Sequence, residues 1–406
     1  MSLGARIYAE LRGDKVLWTI MALFALLSVL LVYSSTSTLA FKERDGNTEA
    51  YVMKHIGILV MGLIGAYFAF LMHYMKYNKF APYLLITAIP LLAFTLMFGP
   101  EVNDANRWIR VPVVGLTFQT SDFARLALII YVARAITAKQ DYIKDFQSAF
   151  VPIIVPIILI VLLIAPSDLS TALILFAVCT TMMYVGRVAL KYIGLLFFAG
   201  IVSFAFLIIV GQLIPGTVRV DTWKERIESF VYHSNEEYQV QQGKIAISRG
   251  GWFGQGPGNS FQKNYLPNPF SDYLYSIIHE EYGIIGGFIV LGLYVLLFVR
   301  CVRLVTISPK TFGALLVIGL GLNIVIPAFA NMAVSVNLVP VTGLTLPLVS
   351  MGGTSVLFTS VAFGIIMSVS KFIESIREEQ PAPENELMKM AKADSKPKTG
   401  EDENDH

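Results

Sequence analysis

Runs of about twenty apolar residues recur along almost the whole chain, and this repetition constrains the fold more than any single motif. The hydrocarbon core of a bilayer is about 30 Å thick and needs roughly 20 apolar residues per crossing helix. Ten such windows occur, over 16–35, 53–72, 81–98, 120–137, 149–165, 169–186, 190–213, 273–299, 311–333 and 352–372. They are apolar on every face, whereas a soluble helical protein of this size shows amphipathic stripes. Charged residues make up 15% of the sequence and the mean hydropathy is +0.63, against about 25% charge in soluble domains. The expected fold is therefore an all-α polytopic membrane protein of about ten transmembrane helices.

Two regions escape the apolar pattern. One is a polar segment of about 214–272 between the seventh and eighth windows; the other begins at Glu374. Residues 1–373 are expected to form the membrane domain, and 374–406, rich in Pro, Glu, Lys and Asp without apolar periodicity, a disordered cytoplasmic tail. The first window is too long for a cleaved signal peptide and further spans follow at once. No internal repeat stands out. Cys179 lies within the sixth window and Cys301 at the end of the eighth, so neither a disulfide across the membrane nor a zinc site fits their spacing; both read as packing residues.

Lys and Arg placement gives an orientation. One set of connections carries Arg6, Arg12 and Lys15; Lys76 and Lys79; Arg134, Lys139 and Lys144; Arg187 and Lys191; and Arg300, Arg303 and Lys310. The C-terminal segment adds Lys371, Arg377, Lys389, Lys392, Lys396 and Lys398. On the opposite side, the turn at Pro166–Asp168 and the stretch from Val334 to Met351 carry no basic residue; Lys42 and Arg44 are a mild exception among three acids. Both termini are thus expected in the cytoplasm and the polar loop outside the membrane. The net charge of +2 adds nothing to this distribution, and no nucleic-acid partner is expected.

The polar residues gather at the outer ends of the spans. Arg107 and Arg110 flank Trp108, an interfacial aromatic beside guanidinium groups suited to phosphate. Gln119, Ser121, Asp122 and Arg125 enter the fourth span, where Asp122 and Arg125 are three residues apart and share a face. A structural ion pair and a functional site explain that pair about equally. Asp168 in the tight fifth turn suits a helix cap. The run GGWFGQGPGNS lacks the Gly-Lys-Ser/Thr ending of a phosphate loop, and its value is a compact loop whose amides could line an anion. Asp272 stands at the mouth of the eighth span, with Ser276, His279, Glu280 and Glu281 following along the helix. Asp272 is the candidate general base.

These motifs resemble the SEDS family (shape, elongation, division and sporulation, the group of FtsW and RodA) over roughly residues 10–375. The family's RRWI signature, continued by QPSE and a lysine, appears as Asn106-Arg107-Trp108-Ile109 and Gln119-Thr120-Ser121-Asp122 with Arg125. Its PDLGTA motif appears as Ser167-Asp168-Leu169-Ser170-Thr171-Ala172. A third signature is carried by Tyr265-Leu266-Pro267, Ser271-Asp272-Tyr273, Glu280-Glu281 and Gly283, and the last by Val339 through Ser350 to Gly352-Gly353-Thr354-Ser355. Thr120, Asp122, Arg125, Asn268 and Met351 depart from the usual Pro, Glu, Lys, Glu and Tyr. The Gly343–Pro347 stretch and Trp223–Ile227 are closer to FtsW than to RodA.

The resemblance implies a peptidoglycan glycosyltransferase that polymerises lipid II at the outer face of the cytoplasmic membrane, with septal cell-wall synthesis the expected setting and a RodA-like role in elongation the alternative. It implies Asp272 as catalytic base and Arg107, Gln119, Ser121, Arg125, Lys263, Glu280, Glu281 and Ser350 as substrate-binding residues. Trp108, Asp168, Gly256, Gly258, Pro267, Gly352 and Gly353 would support them. The implied partners are a class B penicillin-binding protein and other divisome proteins. No cofactor is assigned and no metal ligand set is evident; a divalent cation, Mg or Mn, is possible at the diphosphate. A lipid-linked sugar flippase and a division scaffold are the competing readings, and the first would need polar residues continuing to the cytoplasmic side.

Overall fold

A computed structural model describes residues 12–43, 48–102, 105–110, 117–143, 145–214, 218–232 and 238–379. The described helices are α1 Lys15–Glu43, α2 Thr48–Leu71, α3 Met75–Phe98, α4 Thr120–Ala138, α5 Val151–Ile164, α6 Leu169–Val185, α7 Leu190–Leu213, α8 Val220–Tyr232, α9 Tyr238–Gly250, α10 Leu274–Ile307, α11 Thr311–Ser335 and α12 Thr354–Glu379. Each of the ten apolar windows holds one of them, and α8 and α9 fall in the polar segment. Helices are the expected solution, since a chain in hydrocarbon must satisfy its own backbone polar groups.

Seven of these helices are long and apolar enough to cross a membrane by length and composition alone. The other three windows form α4, α5 and α6. The α5 and α6 helices are apolar but shorter, and a π-helical turn, Phe146–Phe150, lengthens α5 at its start. Charge is what sets α4 apart: Asp122, Arg125 and Arg134 lie within it, yet Leu128, Ile129, Val132 and Ala133 are fully buried. Other helices, not lipid, surround it. The same distinction ranks the rest, because 78% of the apolar window of α11 is buried and only 17% of that of α7.

Helices α2 and α12 pack backbone to backbone. A Cβ on Gly364 would overlap the Ala66 carbonyl, and one on Gly62 would come within 2.9 Å of Ser360 Oγ; small residues are what allow membrane helices to approach this closely. The α12 helix continues to Glu379, past the boundary expected at 373, and the Gly13 amide donates to the Glu374 carboxylate. Residues 380–406, most of the expected tail, lie outside the described residues. Cys179 and Cys301 are buried and unpaired, as their packing role requires.

Two short antiparallel ribbons interrupt the helical pattern, β1 Glu101–Val102 with β2 Ala105–Asn106 and β3 Trp108–Arg110 with β4 Thr117–Gln119. Hydrophobic windows of twenty residues do not register strands of two or three.

The eighth window holds a helix that is broken. Gly283 sits at φ 68°, ψ −169° inside α10, and the glycine run 250–256 takes over the hydrogen bonds that the break releases. Gln255 N–H donates to Glu280 O at 2.8 Å and Gly256 N–H to Glu281 O at 3.0 Å, while Ile284 N–H donates to Gly251 O at 2.9 Å. The amides of Gln255 and Gly256, expected as candidates to line an anion, are therefore engaged by α10. Irregular backbone in a membrane protein persists only where protein re-satisfies it in this way.

Glycine is required because the two backbones touch: a Cβ on Gly254 would overlap the Glu281 carbonyl, and Gly254 has φ +80°. Gly254→Ala is expected to lower stability by more than about 2 kcal/mol. Gly258→Ala, at φ +77° with open space around it, should cost about 1 kcal/mol, the backbone strain alone. Thermal unfolding of the two variants in detergent checks this, and equal midpoints would contradict the contact.

Candidate active site

The turn that carries Asp272 precedes α10 and is held from three directions. Ser350 Oγ donates to Ser271 O at 2.7 Å, Met351 N–H to Phe270 O at 3.0 Å, and Asn331 Nδ2 to Asp272 O at 2.6 Å. Asn331 reaches Leu344 O as well, also at 2.6 Å. One buried amide from α11 thus clamps the Asp272 turn and the 339–350 loop together. Leu348 within that loop has φ +66°, a conformation costly for a branched residue that the clamps maintain. Ser350 is buried, Asp272 itself is half-buried and Pro267 is exposed.

A second cluster forms where the β3–β4 ribbon feeds α4. Trp108 pairs with Gln119 across the ribbon, Gln119 N–H donates to Thr354 Oγ1 at 3.0 Å, and Gln119 Nε2 to Ser121 Oγ at 3.0 Å. Arg125 pairs with Asp122. Arg107 pairs with Asp168 at 3.0 Å, while the other oxygen of Asp168 accepts the Thr171 amide at 3.0 Å and caps α6. The cap was legible in the sequence; its ion pair, across 61 positions, was not. The Nε atoms of Arg107 and Arg125 are buried without a hydrogen-bond partner among the described residues, so each guanidinium keeps an unused donor beside its paired one.

A cavity of about 120 Å³ joins these clusters. Lys54, Thr117 and Thr354 give it polar walls, Ile58, Phe270 and Leu357 apolar ones, and Met351 and Gly353 close it. Phe270 lines it two residues before Asp272; Asp272 does not line it. Gly353, at φ +57°, makes the bend from the loop into α12, with Gly352 half-buried beside it.

Three expected substrate contacts lie elsewhere, on the far side of the α10 turn. Glu280 is fully buried and accepts from Ser260 Oγ at 2.5 Å, Phe261 N–H at 3.1 Å and Gln262 N–H at 3.1 Å. Lys263 Nζ donates to Gly258 O at 2.7 Å and Ser34 O at 3.3 Å. Glu281, also fully buried, accepts from Ser34 Oγ. These side chains fasten the polar loop and α1 to α10. His279 points into α10 against Gly287, and Asp272 lies before the helix begins. Among the described residues no three His, Cys, Asp or Glu side chains converge.

Sequence reasoning missed Asn331 and Lys54, and named Thr354 only as part of a motif. Asn331 had a readable signal, an amide in an otherwise apolar span; Lys54 had one too, a lysine in the first turns of the second helix.

Fold and site together define a multi-pass membrane protein whose buried polar groups are built around the ends of α4, α10 and α12. A sequence profile of the FtsW, RodA and SpoVE family, described as cell cycle protein, matches residues 14–375, and the chain belongs to that family. It is 34% identical over 367 residues to a probable peptidoglycan glycosyltransferase FtsW of Trichlorobacter lovleyi, covering 88% of this chain and 93% of that one. A relative of the same name from Geobacter sp. is 31% identical, with 88% and 96% covered. Among solved structures, a chain from work on structural coordination of polymerization and crosslinking by a peptidoglycan synthase complex superposes with TM-score 0.68 at 22% identity, covering 89% and 98%. The Thermus thermophilus rod shape determining protein RodA does so with TM-score 0.63 at 21% identity, again covering 89% and 98%.

Proposed function

We propose that the chain is a peptidoglycan glycosyltransferase that joins lipid II units into glycan strands. The observation that carries the mechanism is the triple clamp on the backbone of the Asp272 turn, whose Phe270 lines a cavity that Thr354 shares with the Gln119 cluster. In the reaction the acceptor hydroxyl attacks the anomeric carbon of the donor sugar, and the bond to the polyprenyl diphosphate breaks. Asp272 takes the hydroxyl proton as general base. Arg107 and Arg125 offer their guanidinium charge to the diphosphate as its charge develops. A divalent cation, if bound, would supply further charge neutralisation to the leaving diphosphate. Apolar side chains such as Ile58 and Leu357 suit the lipid end of the substrate.

The site faces the outer side of the cytoplasmic membrane in this reading, both termini are cytoplasmic, and the protein works at the division septum beside a class B penicillin-binding protein. The basic-residue asymmetry supports the orientation, and similarity to FtsW relatives and to a chain of a synthase complex supports the rest. An Asn268→Cys probe is expected to react with an impermeant maleimide added to intact cells, because Asn268 is exposed and the native Cys179 and Cys301 are buried. Labelling only after permeabilisation would reverse the orientation. Purified protein given lipid II, alone and with its penicillin-binding partner, should yield a ladder of glycan strands on a gel; no ladder under either condition would refute the polymerase.

A further inference from the structure

Two cross-contacts between α1 and α10 act as rulers for the bilayer. At one end Arg300 Nη1 lies 3.4 Å from Asp14 Oδ2; at the other Ser34 Oγ donates to Glu281. Asp14 and Ser34 are twenty residues apart, and Glu281 and Arg300 nineteen. The first interval, unbroken helix from Lys15 onward, measures about 30 Å at 1.5 Å per residue, the thickness of the hydrocarbon core, and the second runs beside it through the Gly283 break. The Gly283 break, two residues beyond Glu281, therefore lies just inside the edge of the core nearest Asp272.

The loop bonded to that break presents Trp252 and Phe253, which are 70% and 81% exposed. Their height is fixed, since Trp252 O accepts the Ile285 amide at 3.4 Å and the backbones of Gly250 and Gly254 lie directly against those of His279 and Glu281. Ile285, Phe288 and Ile289 continue the exposed apolar surface down α10 from the same level. Aromatic rings favour this depth, where an apolar body meets headgroups.

We infer that Trp252 and Phe253 are a membrane anchor, seated in the leaflet on the Asp272 side and holding the polar loop at a fixed height over the lipid. The partner is a lipid surface. The geometry favours it over a protein because the two rings continue the exposed apolar stripe of α10, a helix long and apolar enough to cross a membrane. The inference stands whichever side of the membrane the site faces.

Phe253→Cys carrying a nitroxide, in nanodiscs of phosphatidylcholine and phosphatidylglycerol, tests it by collision with oxygen against a water-soluble nickel chelate. Labels at Asn268→Cys and Phe288→Cys give the water and lipid limits, and Trp252→Cys is the second variant should Phe253→Cys fail to fold. The expected oxygen-to-nickel ratio at 253 is several-fold above that at 268 and approaches that at 288. A ratio equal to that at 268 overturns the anchor. So does a water-exposed label that becomes shielded only when the penicillin-binding partner is added, which would make the pair a protein-docking surface.

Discussion

Asp272→Asn is expected to lower the lipid II polymerisation rate by about a hundredfold to ten-thousandfold, the usual worth of a positioned base. The variant should fold, because the clamps on this turn use the backbone carbonyls of Ser271, Phe270 and Asp272. Glutamate should restore little activity, since one methylene displaces the carboxylate from the attack geometry that the clamps define. Wild-type rates from a folded asparagine variant would move the base elsewhere. Glu280 is a poor substitute, its oxygens being occupied by Ser260, Phe261 and Gln262.

Arg125→Ala should lose about ten- to a hundredfold in polymerisation rate, the worth of a charge-assisted hydrogen bond or two. That loss has two sources. Removing the arginine deletes a diphosphate donor, and it also leaves Asp122, which is 4% exposed, as an uncompensated buried charge. Breaking such a pair costs about 3–5 kcal/mol. The double variant Asp122→Asn, Arg125→Ala separates them. Its thermal stability should recover towards wild type while its activity stays low. Recovery of both would return the pair to a purely structural role. Arg125→Lys should retain part of the rate, because charge persists while the forked geometry does not.

The ten apolar-window helices, seven of them long and apolar enough to cross a membrane, were readable because a helix in lipid is specified largely by apolar length, which a sequence displays directly. The break at Gly283 was not, although its parts were visible. Glycine runs at 250–258 and a lone glycine at 283 announce unusual backbone without saying that one is built to bond the other. Ion pairs divided along the same line. Asp122 and Arg125 share a helical face and could be paired from spacing, whereas Arg107 finds Asp168 through the tertiary fold alone. Glu280 shows the opposite difficulty. An acid beside the expected base reads as chemistry, and three hydrogen bonds to one loop turn it into an anchor for that loop. Asn331 carries the most structural consequence per residue, two carbonyls held by one amide, and only its polarity within an apolar helix marked it.

The central claim, that a clamped Asp272 drives glycosyl transfer, is tested most directly by measuring two products in one reaction of purified protein with lipid II. The account predicts one polyprenyl diphosphate released for each disaccharide incorporated by the wild type, and neither product from Asp272→Asn at equal lipid II binding. Lipid II moved across a vesicle membrane with no diphosphate released, and equally by wild type and Asp272→Asn, would contradict it.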